Sequence, residues 1–346
     1  MQVVNIGLIG CGRIATLVYL NILCKSPGLS LTAIAEPDAV RRERAAKAAP
    51  RAELYTDYRD LLRNPGIDAV IICLPTQMHA EAAISAFASG KHVYLEKPIA
   101  LDTSQADEIL KAWNESGLVG MTGFNLRFNP VYMSLKEHIA SGTVGEITYV
   151  RTAFSYWRRE FPEWRKHRAS GGGALLDLGS HHVDLLRYTL DAEIERVSAT
   201  VRSHRTEGDN ALCEFRTTGG IDIQSYLSIT SIDEDKIEVY GTRGRLSADR
   251  FNSTFSIVTS DTQRPGPLSQ IKSDIGSLFH CRSLKDAILF PGKEPSFTSA
   301  IEYFLSAVRG GTGVSPDLLD GYNCLKVLAA AEESAETGLV MTVGEL

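Results

Sequence analysis

The stretch VVNIGLIGCGRIA, residues 3–15, decides the fold. Its apolar first half, Val3 to Ile9, predicts a buried strand, and the glycine turn that follows opens a helix. In such a turn Gly10 permits the tight bend, Gly12 lets the backbone approach a pyrophosphate, and Ala15 allows close packing of helix on strand. A glycine-rich turn without a ligand is the alternative. The context between strand and helix favours a dinucleotide-binding unit, with the phosphates at the helix N-terminus.

An acidic residue, Glu36, stands at the end of the next predicted strand, Leu31 to Ala35. It lies about twenty residues after the glycines, where a carboxylate can accept hydrogen bonds from both ribose hydroxyls. A 2′-phosphate would meet this negative charge, so the sequence predicts NAD rather than NADP. Arg41 and Arg42 lie close enough to offset the charge in part, although both could instead lie on a solvated helix face.

The first third of the chain alternates short apolar runs with helical patterns, which predicts βαβ units and a parallel sheet. Further strands are predicted at Ala69–Cys73, His92–Leu95 and Leu118–Thr122, and a helix between Asp102 and Gly117. Pro75, Thr76 and His79 follow one of these strands at its carboxyl end, where open α/β sheets bind ligands. His79 could equally be a surface residue at a helix start.

From residue 124 the pattern changes to alternating strands, and a second domain is predicted over 124–346 after a first domain over 1–123. One helix is predicted near Pro130 to Ile139, a long loop over 260–295 and a closing helix over 316–337. Alternating residues of the strand at 221–229 are apolar, so the sheet has a core side and a wetter side. The predicted strands, mostly antiparallel, are 146–154, 194–202, 210–216, 221–229 and 236–240.

Composition and charge exclude several classes of protein. The 346 residues carry a net charge of −6, which disfavours partners with phosphate backbones or anionic lipid. No apolar run reaches the roughly eighteen residues of a membrane span, and the first residues lack the basic region of a signal peptide. Six scattered cysteines form no ligand pattern, so we expect buried thiols, no metal site and a cytoplasmic location.

Two further segments carry chemistry. Pro98 keeps Lys97 out of the helical region and fixes the backbone that aims its side chain, although a lone lysine at a strand end is more often solvated. A glycine run at 171–173 leads into a helix on which Asp177 and His181 stand four residues apart. These two groups can exchange protons and share one face with Asp184 and Tyr188. Because Arg187 is the only long charged residue nearby, an internal polar site is favoured over a solvated stripe.

The sequence resembles the Gfo/Idh/MocA oxidoreductase family, named for glucose-fructose oxidoreductase and inositol dehydrogenase. The resemblance rests on the Gly10-x-Gly12-x-x-Ala15 turn, on Glu96-Lys97-Pro98, and on the glycine run with Asp177 and His181. It implies a Rossmann domain followed by an α/β domain with a large open, mainly antiparallel sheet, and a tightly bound nicotinamide cofactor. It also implies a catalytic group made of Lys97, Asp177 and His181.

The resemblance extends to Asn125, Arg127 and Phe128, which look like the family's stretch at the domain junction. His182 occupies a position that varies in the family. A basic and aromatic cluster precedes the glycine run and could form a substrate wall, an interface or a solvated loop. The cluster is Phe154, Tyr156, Trp157, Arg158, Arg159, Phe161, Trp164, Arg165, Lys166 and Arg168. The predicted cofactor-binding residues are Gly10, Gly12, Arg13, Ile14, Glu36, Pro75, Thr76, His79, Glu96 and Lys97. The predicted substrate-binding residues are Lys97, Asn125, Arg127, Tyr156, Trp164, Asp177, His181 and His182.

The activity expected is NAD-dependent oxidation of a secondary alcohol on a sugar, glycoside or cyclitol, or the reverse ketone reduction. Two alternatives stay open: an NAD-dependent glycoside hydrolase with transient oxidation, and a dinucleotide-sensing regulator without catalysis. The sequence also predicts a homodimer or homotetramer, because no later helices are numerous enough to cover the polar face of the second sheet. That face is predicted to carry Tyr149, Arg151, Thr200, Arg202, Glu214, Gln224, Tyr226 and Glu238.

Overall fold

The structure, a computed structural model, describes residues 3–157, 162–260 and 294–344. The chain divides into two compact units. The first contains the described residues of Met1–Asn125, Ala169–Gly171 and Phe297–Leu325. The second contains those of Leu126–Arg168, Gly172–Ser296 and Lys326–Leu346. The predicted boundary after residue 123 lies close to Asn125, but the first unit also takes up two later segments.

The sheet of the first unit has six described strands, all parallel, in the order β3-β2-β1-β4-β5-β6. This is the strand order of a Rossmann fold, so the predicted parallel sheet is confirmed. The sequence did not indicate β3, because a three-residue edge strand with exposed side chains carries little apolar signal. The strands are β1 Val4–Ile9, β2 Leu29–Ala35, β3 Glu53–Tyr55, β4 Ala69–Ile72, β5 His92–Leu95 and β6 Gly120–Thr122.

Helices connect these strands. The first begins after the glycine turn, is π-helical over Ala15–Tyr19 and continues as α1, Leu20–Lys25. The helix predicted between Asp102 and Gly117 is confirmed: the Asp102 side chain accepts a hydrogen bond from the Gln105 N–H, and Gly117 ends the helix with φ +64°. The other helices here are α2 Ala39–Ala48, α3 Tyr58–Leu62, α4 His79–Ala88 and α5 Thr103–Ser116.

The late segment 297–325 completes the core of the first unit. Helix α8, Ser296–Gly310, places the ring of Phe304 edge-on to Tyr94, with centroids 5.7 Å apart. Helix α9, Leu318–Thr337, begins beside Gly120, where an added Cβ would lie 2.7 Å from Leu318 Cδ1. A sequence read in consecutive blocks cannot reveal this return, because it depends on contacts between residues about 200 positions apart.

The sheet of the second unit has eight described strands in the order β13-β12-β11-β7-β10-β9-β8-β14. Strands β7 and β10 are parallel and all other neighbours are antiparallel, which confirms the predicted large, mainly antiparallel sheet. Strands β12 to β14 are not predicted by the sequence pattern. The strands are β7 Ile147–Ser155, β8 Ile194–Arg202, β9 Asn210–Thr217, β10 Asp222–Ser228, β11 Glu234–Gly241, β12 Gly244–Asp249, β13 Thr254–Thr259 and β14 Met341–Thr342.

One face of this sheet is buried against helices α6, Pro130–Ala140, and α7, Ala174–Leu190. The other face carries cross-strand rows, one of which runs Glu238–Arg151–Gln224–Glu214. On that face the Tyr226 side chain is 37% exposed and that of its β9 neighbour Leu212 is 45% exposed. The alternation of a core side and a wetter side is therefore present as the sequence predicts.

Some sequence predictions fall outside the described residues or differ from the structure. The loop predicted over 260–295 lies almost wholly outside them, as does Cys281. Cys11, Cys73, Cys213 and Cys324 are buried as expected, but Cys24 is exposed because it lies near the end of α1 on its outer side. Helix α8 was not predicted. In the described part of the chain, no helix has the length and apolar character needed to cross a membrane.

Candidate active site

The glycine turn has two glycines for two different reasons. Gly10 has φ +89°, and a Cβ there would lie 2.9 Å from the Cys73 carbonyl oxygen, so the bend needs glycine for its own folding. At Gly12 the nearest atom to an added Cβ is 4.0 Å away, so the position is open. Ala15 is fully buried, and Arg13 and Ile14 begin the helix with exposed and half-buried side chains. The turn fits a dinucleotide phosphate.

Glu36 lies directly beside this turn. It is only 3% exposed, and its Oε2 accepts a hydrogen bond from the Cys11 N–H at 2.7 Å. Its Oε1 accepts from the Asp38 N–H and from Arg41 Nη2, each at 2.9 Å. Arg42 donates to the Glu36 carbonyl oxygen. A carboxylate next to the glycine turn suits a ribose diol, and Arg41 offsets part of its charge as the sequence predicts.

Thr76 lies in the loop after β4, and β4 is the neighbour of β1, the strand that precedes the glycine turn. It is 3% exposed and touches Gly171, where an added Cβ would lie 2.7 Å from Thr76 Cβ and φ is +99°. The first glycine of the run that leads to Asp177 therefore packs on a predicted cofactor residue. Pro75 beside it is half-buried.

His79 is a buried residue, 1% exposed, so the surface interpretation is wrong. Its Nδ1 lies 2.8 Å from the Pro98 carbonyl oxygen and its Nε2 lies 2.9 Å from the Leu74 carbonyl oxygen. Burial lowers the pKa of His79. The sequence predicts this side chain as a cofactor contact; in the structure its ring nitrogens face two backbone carbonyls, which links two loops of the first unit.

Lys97 is half-buried at the end of β5, and Glu96 before it is 8% exposed. Glu96 Oε2 accepts a hydrogen bond from the Lys97 N–H at 3.2 Å, and its Oε1 accepts one from the Tyr19 hydroxyl. Burial, and then the Glu96 charge, raise the pKa of Tyr19 well above its usual value, so this phenol is a donor. Glu96, predicted as a cofactor contact, thus bonds protein donors with both oxygens.

Helix α7 carries Asp177 and His181 in the second unit, and most of its residues are buried. The Asp177 side chain is 12% exposed and accepts a hydrogen bond from Arg165. His181 is half-buried, with its ring centroid 6.0 Å from that of Phe154. The polar groups of α7 therefore lie in an internal site and do not form a solvated stripe. Lys97 belongs to the first unit.

The junction residues have other partners than a substrate. Arg127 is 6% exposed, and its Nε lies 3.0 and 2.9 Å from the two carboxylate oxygens of Asp184 on α7. The guanidinium also lies 5.1 Å from the centroid of the Tyr188 ring. Arg127 is predicted to contact the substrate, whereas in the structure its guanidinium is paired with Asp184. Asn125 is 2% exposed and belongs to the first unit.

His182 points into a buried polar network rather than into an open site. It is 1% exposed, its Nε2 lies 3.0 Å from Asp235 Oδ1, and it stacks on Phe154 at 4.9 Å. Tyr132 and Arg250 also donate to Asp235. Although burial raises it, the Arg250 and His182 partners bring the pKa of Asp235 down to about 2. His182 is predicted as a substrate contact, but in the structure its side chain is enclosed by protein.

The basic and aromatic cluster separates into individual roles. Tyr156 is half-buried with its ring against Phe154, and Trp164 is half-buried beside Arg165. Arg168 pairs with Glu332, and Lys166 pairs with Glu163. Arg158, Arg159 and Phe161 lie outside the described residues. Arg165 thus differs from its basic neighbours, because its partner is Asp177.

Comparison with protein-family models decides the family. Residues 4–124 match the model described as the oxidoreductase family, NAD-binding Rossmann fold. Residues 132–247 match the GFO/IDH/MocA C-terminal domain. The chain belongs to the Gfo/Idh/MocA family. It is therefore an oxidoreductase, and its cofactor is NAD, as the sequence predicts.

Gfo/Idh/MocA relatives match most of the chain. Myo-inositol 2-dehydrogenase of Thermotoga maritima is 28% identical over 96% of each chain. dTDP-3,4-didehydro-2,6-dideoxy-alpha-D-glucose 3-reductase of Actinomadura kijaniata is 32% identical over 71% of this chain and 75% of that protein. The solved structure of levoglucosan dehydrogenase in complex with NADH has a TM-score of 0.86 at 23% identity and covers all of both chains. This structural likeness shows the fold.

Three residues near the site of this Gfo/Idh/MocA member escaped the sequence reading. Tyr19 was not singled out, although a tyrosine in the apolar run after the glycine turn is a polar exception. Asp235 gives no local signal, because its partners lie far away in sequence. Arg165 was included in the basic cluster, but only its position beside Asp177 separates it from Lys166 and Arg168.

Proposed function

We propose that the protein is an NAD-dependent dehydrogenase that oxidises a secondary alcohol of a sugar, glycoside or cyclitol, or reduces the corresponding ketone. The observation that carries this proposal is the internal polar site on α7, where Asp177 and His181 stand one turn apart on a buried helix of an NAD-binding oxidoreductase. The names of the relatives, which include inositol and levoglucosan dehydrogenases, support the substrate class.

The proposed roles follow from the chemistry of each side chain. NAD, when bound, supplies the acceptor for the hydride that leaves the carbinol carbon. His181 takes the hydroxyl proton, and the Lys97 ammonium stabilises the negative charge that develops on the oxygen. Asp177, held by Arg165, binds an adjacent hydroxyl or orients His181. Gly10, Gly12, Arg13, Ile14, Glu36, Pro75 and Thr76 would hold the dinucleotide, and Tyr156 and Trp164 the substrate.

Glu36 supports a preference for NAD over NADP. Its carboxylate is fixed beside the turn by the Cys11 N–H, so a 2′-phosphate would lie next to a buried negative charge. The Arg41 partner reduces this repulsion without removing it.

A substrate panel tests the activity. Myo-inositol, scyllo-inositol, levoglucosan and common hexoses are each incubated with NAD or NADP, and reduced nicotinamide is followed by absorbance. Net accumulation of NADH with a polyol supports the dehydrogenase. Release of sugar from a glycoside without accumulation supports the hydrolase, and binding of NAD with neither reaction supports the regulator.

Lys97→Met tests the assignment of the oxyanion-stabilising group. The change removes the charge and keeps a side chain of similar length, so turnover should fall by roughly a hundredfold or more while the binary NADH complex still forms. Turnover near that of the wild type would remove Lys97 from the mechanism.

We also propose a homodimer or homotetramer that pairs the open face of the second sheet. Support comes from the exposed apolar pair Leu212 and Tyr226 and from Glu238, which gathers Arg151, Lys236 and Arg245 around it. Light scattering should give a mass that is a multiple of 37.8 kDa, and Tyr226→Arg should reduce this mass. Leu54→Arg, at an exposed position of β3, is the matched control.

The free thiols support a reducing compartment, which we propose to be the cytoplasm.

A further inference from the structure

The main chain on both sides of Lys97 is held by side chains, two of which, those of Tyr19 and His79, come from helices. On the N-terminal side, the Glu96 carboxylate accepts the Lys97 N–H at 3.2 Å and is itself held by the Tyr19 hydroxyl. On the C-terminal side, His79 Nδ1 lies 2.8 Å from the Pro98 carbonyl oxygen. All of these groups belong to the first unit.

Tyr19 is placed for this contact by the π-helical turn that it ends. Its side chain is fully buried, and two rings fix it edge-on: Tyr94 at 5.9 Å and Phe297 at 5.8 Å between centroids. The Tyr94 hydroxyl lies 3.3 Å from the Tyr19 hydroxyl. π-Helical turns are rare and occur frequently at functional sites. The rigid Tyr19 phenol thus has two acceptors within reach, the Tyr94 hydroxyl and the Glu96 carboxylate, and the charged carboxylate is the stronger of the two.

The space around Glu96 leaves its carboxylate little freedom. Gly123 packs on it so closely that a Cβ there would lie 3.2 Å from Glu96 Cα and 3.3 Å from its carboxylate carbon. A carboxylate fixed by Tyr19 and by packing gives the Lys97 N–H a fixed acceptor.

His79 fixes the other side and connects it to the cofactor loop. Its second ring nitrogen, Nε2, lies 2.9 Å from the Leu74 carbonyl oxygen, one residue before Pro75. The imidazole therefore lies between the loop after β4 and the loop after β5, and as a neutral ring it donates its one N–H to one of these two carbonyls. Since the ring is buried, neither contact is exchanged readily for water.

We propose that Tyr19 and His79 are positioning residues that fix the Lys97 backbone from its two sides and so aim the ammonium. The inference rests on the proposed function, in which Lys97 stabilises the developing oxyanion. Neither residue touches the reacting atoms. A displacement of about 1 Å in a catalytic group can cost on the order of a hundredfold in rate, so loss of one holding contact should be measurable in turnover.

The first test is Tyr19→Phe, which keeps the buried ring and removes only the hydroxyl. Turnover of the best polyol of the panel should fall about tenfold, while KM and NADH affinity stay within about twofold, because only the transition-state interaction of Lys97 is weakened. Tyr58→Phe removes another buried hydroxyl of the same unit and should leave turnover unchanged. Equal turnover of Tyr19→Phe and wild type overturns the inference.

The second test is a double-mutant cycle with Lys97→Met. If Tyr19 acts through Lys97, adding Tyr19→Phe to Lys97→Met should cause no further loss of turnover. Additive losses would show a merely structural role and overturn the inference while leaving Lys97 in the mechanism. Wild-type turnover in Lys97→Met alone, or no turnover with any polyol, would overturn the proposed function and this inference with it.

The third test concerns His79 and uses rescue by a side chain that keeps a donor. His79→Gln should retain several-fold more turnover than His79→Leu, at equal NADH affinity, and each should be non-additive with Lys97→Met. Equal turnover of the Gln and Leu variants would remove His79 from the proposal. If the Leu variant does not fold, the cycle with His79→Gln still decides.

Discussion

The Arg165 guanidinium donates a hydrogen bond to the Asp177 carboxylate, and the two side chains are 27% and 12% exposed. This ion pair connects the short helical segment Glu163–Lys166 to the first turn of α7. A carboxylate paired with a guanidinium is restricted in orientation, so Arg165 helps to set the direction of the second Asp177 oxygen.

Arg165→Gln should therefore lower kcat/KM about tenfold, because Asp177 loses its charged partner and its fixed orientation. The measurement is steady-state kinetics on the best polyol of the panel. Lys166→Gln, which breaks the exposed pair with Glu163, is the matched control and should be silent. Equal kinetics for the two variants would contradict a role for Arg165.

Glu36→Ala should weaken NAD binding and narrow its advantage over NADP. The change removes the ribose acceptor, and it also releases Arg41 from its partner, so that a 2′-phosphate meets a cation where a carboxylate stood. Fluorescence titration with NADH and NADPH measures both affinities. An unchanged ratio of NADH to NADPH affinity would contradict the assignment of Glu36 as the ribose acceptor.

The two glycines of the turn should respond differently to the same methyl group. Gly10→Ala forces a positive φ on alanine and a contact with the Cys73 carbonyl, so the free energy of unfolding should fall by at least about 1 kcal/mol. Gly12→Ala meets no protein atom closer than 4.0 Å, so stability should hold while NADH affinity falls. Urea unfolding measures the stability of both variants, and NADH titration measures their cofactor affinity. Wild-type NADH affinity in Gly12→Ala would contradict the prediction that the phosphate binds at Gly12.

His181→Ala should abolish most turnover and leave NADH affinity unchanged. The residue belongs to the second unit, whereas the glycine turn and Glu36 belong to the first. Isothermal titration with NADH and a rate measurement separate the two effects. A comparable loss of NADH affinity would mean that His181 is structural.

The buried carboxylate of Asp235 should make stability depend on pH. Its pKa falls from 3.8 to about 2 on folding, so it contributes about 2 kcal/mol above pH 4, and this is lost as the pH falls toward 2. Asp235→Asn should lower the free energy of unfolding at pH 7 by about 3 kcal/mol, because the buried Arg250 loses the more deeply buried of its two carboxylate partners, Asp235 and Glu294. Urea unfolding at pH 7 and pH 3 checks this. The difference in the free energy of unfolding between variant and wild type should be smaller at pH 3 than at pH 7.

Much of the fold could be predicted because its signals are local. Strand β4 is apolar throughout, and β1 and β5 carry one polar residue each, Asn5 and His92, as expected for parallel strands covered on both faces. Asp102 and Gly117 mark both ends of α5. Strand β3 and helix α8 were not predicted. A three-residue edge strand has no hydrophobic periodicity, and α8 follows a segment without a clear hydrophobic pattern.

The candidate site was predictable where a motif fixes the residue, and not where a distant partner decides its role. Lys97, Asp177 and His181 come from motifs, and their roles stay predictions. The interpretation of His79, Glu96 and Arg127 as ligand contacts could not foresee Pro98, Tyr19 and Asp184 as their partners, because these contacts join positions 19 to 77 residues apart.

The late segment that carries Phe304 and Leu318 has a consequence for the order of folding during synthesis. The Rossmann sheet cannot bury Tyr94 and Gly120 until residues 297–325 have left the ribosome, about 200 residues after Asn125. At roughly 5–20 residues per second, this leaves the nascent N-terminal unit incomplete for about 10–40 s. Strands β7 to β13 are synthesised within this interval, so the N-terminal third of the polypeptide exposes apolar surface to chaperones longest.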